Sequence, residues 1–337
     1  MNKEKSFFHL FPCCIPVKGA TRSIICDLQR NNFEIIPNAL FFILTQKKYV
    51  NIQKVYEICG NEGILNEYFH FLEQKEFGYF SDTKNTNVLE PPKQFISHSI
   101  ISNCIIDFDN HSKHNMNYLK NELDLLGCEA LQLRFFSEIP FQKIDFFLSA
   151  FADSRVRSIY VILHYSEDLS EKELVNIYKN HNRLLDILVH SSPENKTINV
   201  GTYKISYVTK HIDSEVHCGF VGSNYFTVNQ SFFYESLQYN TCLNKKISID
   251  RFGNVKNCPA MSFEFCNILD NEQSLLEIVL EKEFQKYWTI SKDEILICKD
   301  CEFRYICPDC RVFIQDKEDV FSKPIKCNYN PYDATWS

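Results

Sequence analysis

Glycine is scarce in this chain, 9 of 337 residues, and no glycine-rich loop of the kind that cradles a phosphate occurs in it. ATP use by the chain itself therefore has no support. There is no serine-nucleophile elbow and no internal repeat. No apolar run approaches the roughly 20 residues of a membrane span. A formal net charge of −7, without a basic stripe of interleaved aromatics, argues against a broad electrostatic surface for nucleic acid. Neither nucleic acid nor a membrane is an expected partner. The start, MNKEKSFFHLFPCCIPVKGA, has a charged head and an apolar stretch, but His9, Pro12 and Pro16 interrupt the stretch and no small-residue cleavage site follows. The expected location is the cytoplasm.

What the chain has in excess is cysteine. Eight of its 15 cysteines fall in the last 96 residues, in a chain much longer than the usual disulfide scaffold, so reduced thiols fit better than a secreted framework. Leaving Cys266 aside as a small apolar residue of the core, the order is Cys242, Cys258, Cys298, Cys301, Cys307, Cys310 and Cys327. The central four are separated by two, five and two residues. Two cysteines with two residues between them aim both sulfurs at one centre across a tight turn, and thiolates at such spacings hold metal. Cys298, Cys301 and Cys307 form a local three-ligand claw. Gly253 stands at the tip of an expected hairpin, Lys246 to Asp250 and Asn254 to Lys256, where the turn needs a positive φ. That hairpin would return Cys258 towards Cys242. Four thiolates in paired CxxC also describe a structural zinc site, which remains the alternative. Against it, the two pairs are closer than in a zinc ribbon and three cysteines would be idle.

The segments NTCLNKKISIDRFGNVKNCPAM, WTISKDEILICKDCEFRYICPDCR and KPIKCNYNPY resemble a SPASM domain, the C-terminal module of radical-SAM peptide-modifying enzymes. More narrowly, they resemble the maturase of grasp-with-spasm peptide systems, strongly over residues 217 to 332 and more weakly before. The resemblance implies two auxiliary [4Fe–4S] clusters. One would sit on Cys298, Cys301, Cys307 and Cys327, the other on Cys242, Cys258 and Cys310 with Cys218 as the best candidate for a fourth ligand. It also implies a ribosomally synthesised precursor peptide and an ATP-grasp ligase as partners. The chain departs from the family in one place: many SPASM domains have three residues between the last two central cysteines, and here Pro308 and Asp309 make two.

A second departure concerns the chemistry. A radical-SAM enzyme carries a cysteine triplet spaced by three and two residues, which leaves one iron open to S-adenosylmethionine. Cys13, Cys14, Cys26, Cys59, Cys104 and Cys128 are isolated or adjacent, and the positions four and seven beyond Cys104 are Phe108 and His111. No cluster that binds S-adenosylmethionine is expected.

Periodicity divides the chain into three expected domains. Residues 1–93 carry strands at RSIICDL, NFEII and GYFSD and helices at PNALFFILT, NIQKVYEI and ILNEYFHFLEQKEF. This is a winged-helix-like α+β module suited to recognising a leader peptide as an added strand; an ordinary packing domain is the plain alternative. The boundary falls in the polar stretch SDTKNTNVLEPPK. Residues 94–235 alternate strand and helix. Strands are expected at Ser99 to Asp107, Ala130 to Arg134, Ser158 to His164, Asp186 to His190, Tyr203 to Val208 and Tyr225 to Val228. Helices are expected at Met116 to Leu126, Gln142 to Ala152 and Glu171 to Leu184. Six strands with helical crossovers give an α/β layer and match the partial (β/α)6 barrel of a radical-SAM core. Residues 236–337 are the cysteine-rich SPASM domain.

Asp107, Asp109, Arg134, His164 and His190 fall near the C-terminal ends of expected strands, where sites gather in such folds, with His111 and His114 in the following loop. Polar loops after strands are ordinary, so packing is the plainer reading of these seven. His217, beside Cys218, is not expected to form a catalytic pair with it. Three functions stay open: a maturase component with iron–sulfur clusters, a non-catalytic peptide-binding scaffold or escort stabilised by clusters or zinc, and a redox enzyme with unrecognised ligands. Since the triplet is missing, the reduced protein is expected to release no 5′-deoxyadenosine from S-adenosylmethionine; chromatographic detection of that nucleoside in stoichiometric amount would overturn the expectation.

Overall fold

In the computed structural model, which describes residues 6–84, 92–270 and 273–337, the chain forms two compact units, and neither is one consecutive stretch. One joins the residues up to Phe95 with Phe220–Thr241 and Ile290–Ser337; the other comprises Ile96–Gly219 and Cys242–Thr289. The middle of the expected linker, residues 85–91, lies outside the described residues.

In the first unit, strands β1 (Phe7–Leu10), β2 (Cys14–Lys18), β3 (Arg22–Asp27) and β4 (Asn32–Pro37) lead into helix α1 (Asn38–Thr45), and β5 (Val50–Asn51) leads into α2 (Ile52–Cys59), α3 (Glu62–Gln74) and β6 (Gly78–Ser81). They build two three-stranded antiparallel sheets, β5-β1-β6 and β2-β3-β4. The opening residues, read from sequence as an interrupted apolar stretch, supply β1 and β2, because Phe8, Cys14 and Val17 turn inward. Asn51 and Asn61 cap α2 and α3 by accepting the backbone N–H of Lys54 and Ile64.

The cysteine-rich tail belongs to this same unit. Arg304 donates to the carbonyl of Lys18 at 2.5 Å, Ala20 N–H to that of Asp300 at 2.7 Å, and Arg22 to the buried carboxylate of Glu302 at 2.7 Å. Gly19 is needed for this approach: a Cβ there would stand 2.5 Å from the Arg22 oxygen and 2.8 Å from Glu302.

The second unit contains a nine-stranded mixed sheet. Its strands are β7 (Asn103–Phe108), β8 (Ala130–Phe135), β9 (Ser158–His164), β10 (Leu184–His190), β11 (Lys196–Val200), β12 (Tyr203–Tyr207), β13 (Lys246–Ile249), β14 (Asn254–Lys256) and β15 (Cys266–Asn267). The order is β11-β12-β10-β9-β8-β7-β13-β14-β15, and the six from β12 to β13 run parallel. Crossovers are made by α4 (Met116–Leu125), α5 (Phe141–Ala150) and α6 (Glu171–Asn180), the last begun by a Ser170–Glu173 capping box. Phe108 stacks on Phe135 and Phe147 with ring centres 4.8 and 4.7 Å apart.

The element readings need two corrections. The helix expected to reach Leu184 ends at Asn180, where His181 leaves helical geometry, and Leu184 opens β10, fully buried. Tyr225 to Val228 is not a strand: Ser223–Tyr225 is a single 3-10 turn in the first unit, and Phe226 and Val228 pack beside Phe233 and Phe303. The sixth parallel strand is β13, whose Ile247 and Ile249 turn into the core. Cys266 is half-buried in the edge strand β15, against the same core.

The hairpin β13–β14 turns at Gly253 with φ of 90°, and a Cβ there would lie 2.9 Å from Asn267 Oδ1 and 3.2 Å from Ile268. Gly253→Ala is therefore expected to lose about 1–3 kcal/mol, read as a lower urea midpoint with an unchanged denaturant slope.

Candidate metal centre

Five cysteines lie in the tail of the first unit, and burial and turn geometry group them. Cys298 begins a 3-10 turn, Cys298–Asp300, entered through Ile297 at φ 68°, and its carbonyl accepts the Cys301 N–H at 2.9 Å. That turn brings the backbones of the first CxxC pair together. Cys301, Cys307 and Cys327 pack into one cluster with Val17, Phe303 and Ile306. Cys327 is held from outside the tail by a parallel bridge to Val221.

The thiols act on one another electrically: Cys298 feels Cys307 and Cys327, Cys301 feels Cys307, and Cys307 feels Cys327. Burial pushes the Cys298 thiol up to about 12, against the pull of Lys292. Burial raises Cys301 and Cys307 too. Cys310, also buried, accepts the Phe313 N–H at its sulfur, 3.3 Å away.

The cation beside these thiols escaped the sequence reading. Lys292 is 5% exposed, and its ammonium donates to the Pro308 carbonyl at 2.8 Å. Burial works against its charge, but Cys307, Cys298 and Asp309 outweigh burial and hold its pKa above the ordinary 10.5. A buried ammonium facing sulfur favours thiolate, the form that binds metal. The two residues that depart from the family pattern are also explained: Asp309 is buried, pairs with Arg311 at 2.8 Å and accepts from Asn240 at 2.5 Å. Only the proximity of Asp309 and Arg311 to the cysteines hinted at this network, since Lys292 and Asn240 reach it through the fold.

The donor set fits a thiolate-held iron–sulfur cluster: several buried sulfurs, a compensating cation, and turns that present backbone amides.

Cys218, Cys242 and Cys258 belong to the second unit. Cys242 is exposed and Cys258 half-buried against the sheet's core. Cys218 follows the short turn Glu215–His217 and accepts an N–H from Arg134 at its sulfur, 3.0 Å away. Arg134 is itself 3% exposed and forks onto Asp107, 2.6 and 2.7 Å to the two carboxylate oxygens. Burial pushes the Asp107 carboxyl up, and the two N–H donors of Arg134 pull it back; the paired short bonds decide for an ion pair.

His114 donates from Nε2 to the Asp107 carbonyl, 2.9 Å away, and burial lowers its pKa, keeping the ring neutral. Asp109 caps its own loop through Ser112 and His111. His217 pairs with Asp213 rather than with Cys218. His164 and His190 stand side by side at the ends of β9 and β10.

No family model and no curated protein matches the chain. Among solved structures it is similar to SuiB of Streptococcus suis bound to its precursor peptide SuiA, at a TM-score of 0.38 and 10% identity over 94% of this chain and 98% of that one. A second structure of SuiB from Streptococcus suis gives a TM-score of 0.37 at 10% identity, over the same shares. So distant an overlap leaves function to be argued from this chain's own residues.

Asp107→Asn would leave the Arg134 charge buried and half-paired. Its expected cost is about 3–5 kcal/mol, checked by urea unfolding; a loss under 1 kcal/mol would show that the pair is not desolvated.

Proposed function

We propose that this chain is an iron–sulfur component of peptide maturation, acting on a ribosomally synthesised precursor together with an ATP-grasp ligase. The observation that carries the reading is the group of mutually interacting thiols, Cys298, Cys301, Cys307 and Cys327, beside the buried ammonium of Lys292. These four would hold one four-iron cluster; the second keeps the set implied by the SPASM resemblance, Cys218, Cys242, Cys258 and Cys310. When bound, such clusters supply one-electron transfer or a structural staple. The chain's own part is to offset through Lys292 some of the cost that burial puts on a thiolate, to exclude water from the sulfurs, and to hold the claw in register through the Cys298 turn.

For the peptide, the first unit offers a cleft of about 520 Å3 whose lining includes Phe8, Leu10 and Phe11 together with Lys47, Lys48 and Tyr49. Aromatic walls with two lysines suit an acidic, partly apolar peptide segment. A non-catalytic scaffold is the second reading. It draws support from the loop after β7, closed by the Asp109–Ser112 turn and by His114 on the Asp107 carbonyl, which carries no cysteine.

Iron, acid-labile sulfide and zinc measured on protein purified without oxygen test the cluster assignment. About eight irons and eight sulfides per chain are expected, falling to about four of each in Cys301→Ser. About one zinc with no iron would replace this reading with a metal-stapled peptide-binding protein.

A further inference from the structure

Three imidazoles meet at the C-terminal ends of neighbouring parallel strands in the second unit. His164 ends β9, His190 ends β10 as its register partner, and His211 lies just beyond β12. A ligand-capable nitrogen from each lies within 4.8 Å of the other two. Burial is graded across the group: His190 is fully buried, His164 half-buried and His211 exposed.

Backbone carbonyls set the tautomers of the two inner rings. A carbonyl oxygen only accepts, so a ring nitrogen bonded to one carries the proton. His190 Nε2 is 3.0 Å from the Phe135 oxygen, which leaves the lone pair on Nδ1. His164 Nδ1 is 2.7 Å from the Tyr165 oxygen, which leaves the lone pair on Nε2. Anchoring the second ring nitrogen on a carbonyl is how metal-ligating histidines are oriented.

Ser191 links the group. Its hydroxyl lies 3.0 Å from His190 Nδ1 and 2.7 Å from His211 Nδ1, from a backbone at φ 58°, a left-handed conformation that is costly for a serine. The His190 lone pair takes the Ser191 hydroxyl and, at 3.4 Å, the Ile212 N–H; a bound metal would replace these contacts. No carboxylate belongs to the set, so a hard cation such as magnesium or calcium has no partner there, while three imidazole nitrogens suit zinc, cobalt or nickel.

We propose that His164, His190 and His211 bind one divalent transition-metal ion of the zinc, cobalt or nickel kind, separately from the thiols, with a coordination position left open on the exposed side. Three protein nitrogens and an open fourth position are the arrangement in which such an ion takes a water molecule or polarises a carbonyl. Neither the iron content nor the precursor assigned above is needed for this site.

The test uses the full chain, purified without oxygen, with whatever metal its cysteines hold left in place, and cobalt(II) as the probe. Equilibrium dialysis is expected to give about one additional equivalent of cobalt, and X-ray absorption at the cobalt edge to show nitrogen and oxygen neighbours without sulfur. His211→Ala, at an exposed position, and His164→Gln are each expected to weaken binding at least about ten-fold, with thermal unfolding confirming that both variants fold. Sulfur in the cobalt shell, or binding unchanged in both variants, would overturn the proposal.

Discussion

A guanidinium cannot shed its proton at any pH a cell meets, and Arg134 holds one almost out of reach of water. That constraint organises the functional end of the parallel sheet. Asp107, on the neighbouring strand at the same level, must answer it with both carboxylate oxygens. The remaining nitrogen, Nη1, donates to the Cys218 sulfur, and the backbone carbonyl of Asp107 anchors His114 in the following loop. Breaking a buried pair strands a charge in the interior, so the strand ends, the loop and the cysteine are positioned together rather than one by one.

The first unit meets a similar problem with a lysine. Lys292 is taken out of water among thiols and the carboxylate of Asp309, which is itself paired to Arg311 and bonded to Asn240. A buried ammonium beside buried sulfurs makes each easier to keep charged, since neither has water to stabilise it. The ring of bonds around Asp309 also gives the shortened Cys307–Cys310 spacing a packing role. In both units a cation is brought to sulfur, Arg134 from 84 positions before Cys218 and Lys292 from a turn just ahead of the first CxxC.

Much of the local structure was legible from pattern alone. The crossover units from β7 to β10 follow alternating apolar runs and amphipathic helices, and the turn at Gly253 follows from a glycine between two short β-prone segments. The errors share a cause. Tyr225 to Val228 has the composition of a strand, yet its apolar side chains are claimed by Phe233 and Phe303 in the other unit. The place it was assigned in the sheet is filled by Lys246–Ile249 from beyond it. Which of two apolar segments joins a sheet depends on partners that periodicity does not name.

The sequence by itself determined the thiol spacing, the missing triplet, the hairpin glycine and the strand-and-helix alternation, because each depends on residues within a few positions of one another. Only the tertiary structure decided that Lys292 faces the cysteines, that Arg134 reaches Cys218, that the tail packs on β2 and β3, and that His211 joins His164 and His190. Most of these contacts link residues separated by long stretches of chain, and burial, which removes water as an alternative partner, is what makes them binding choices.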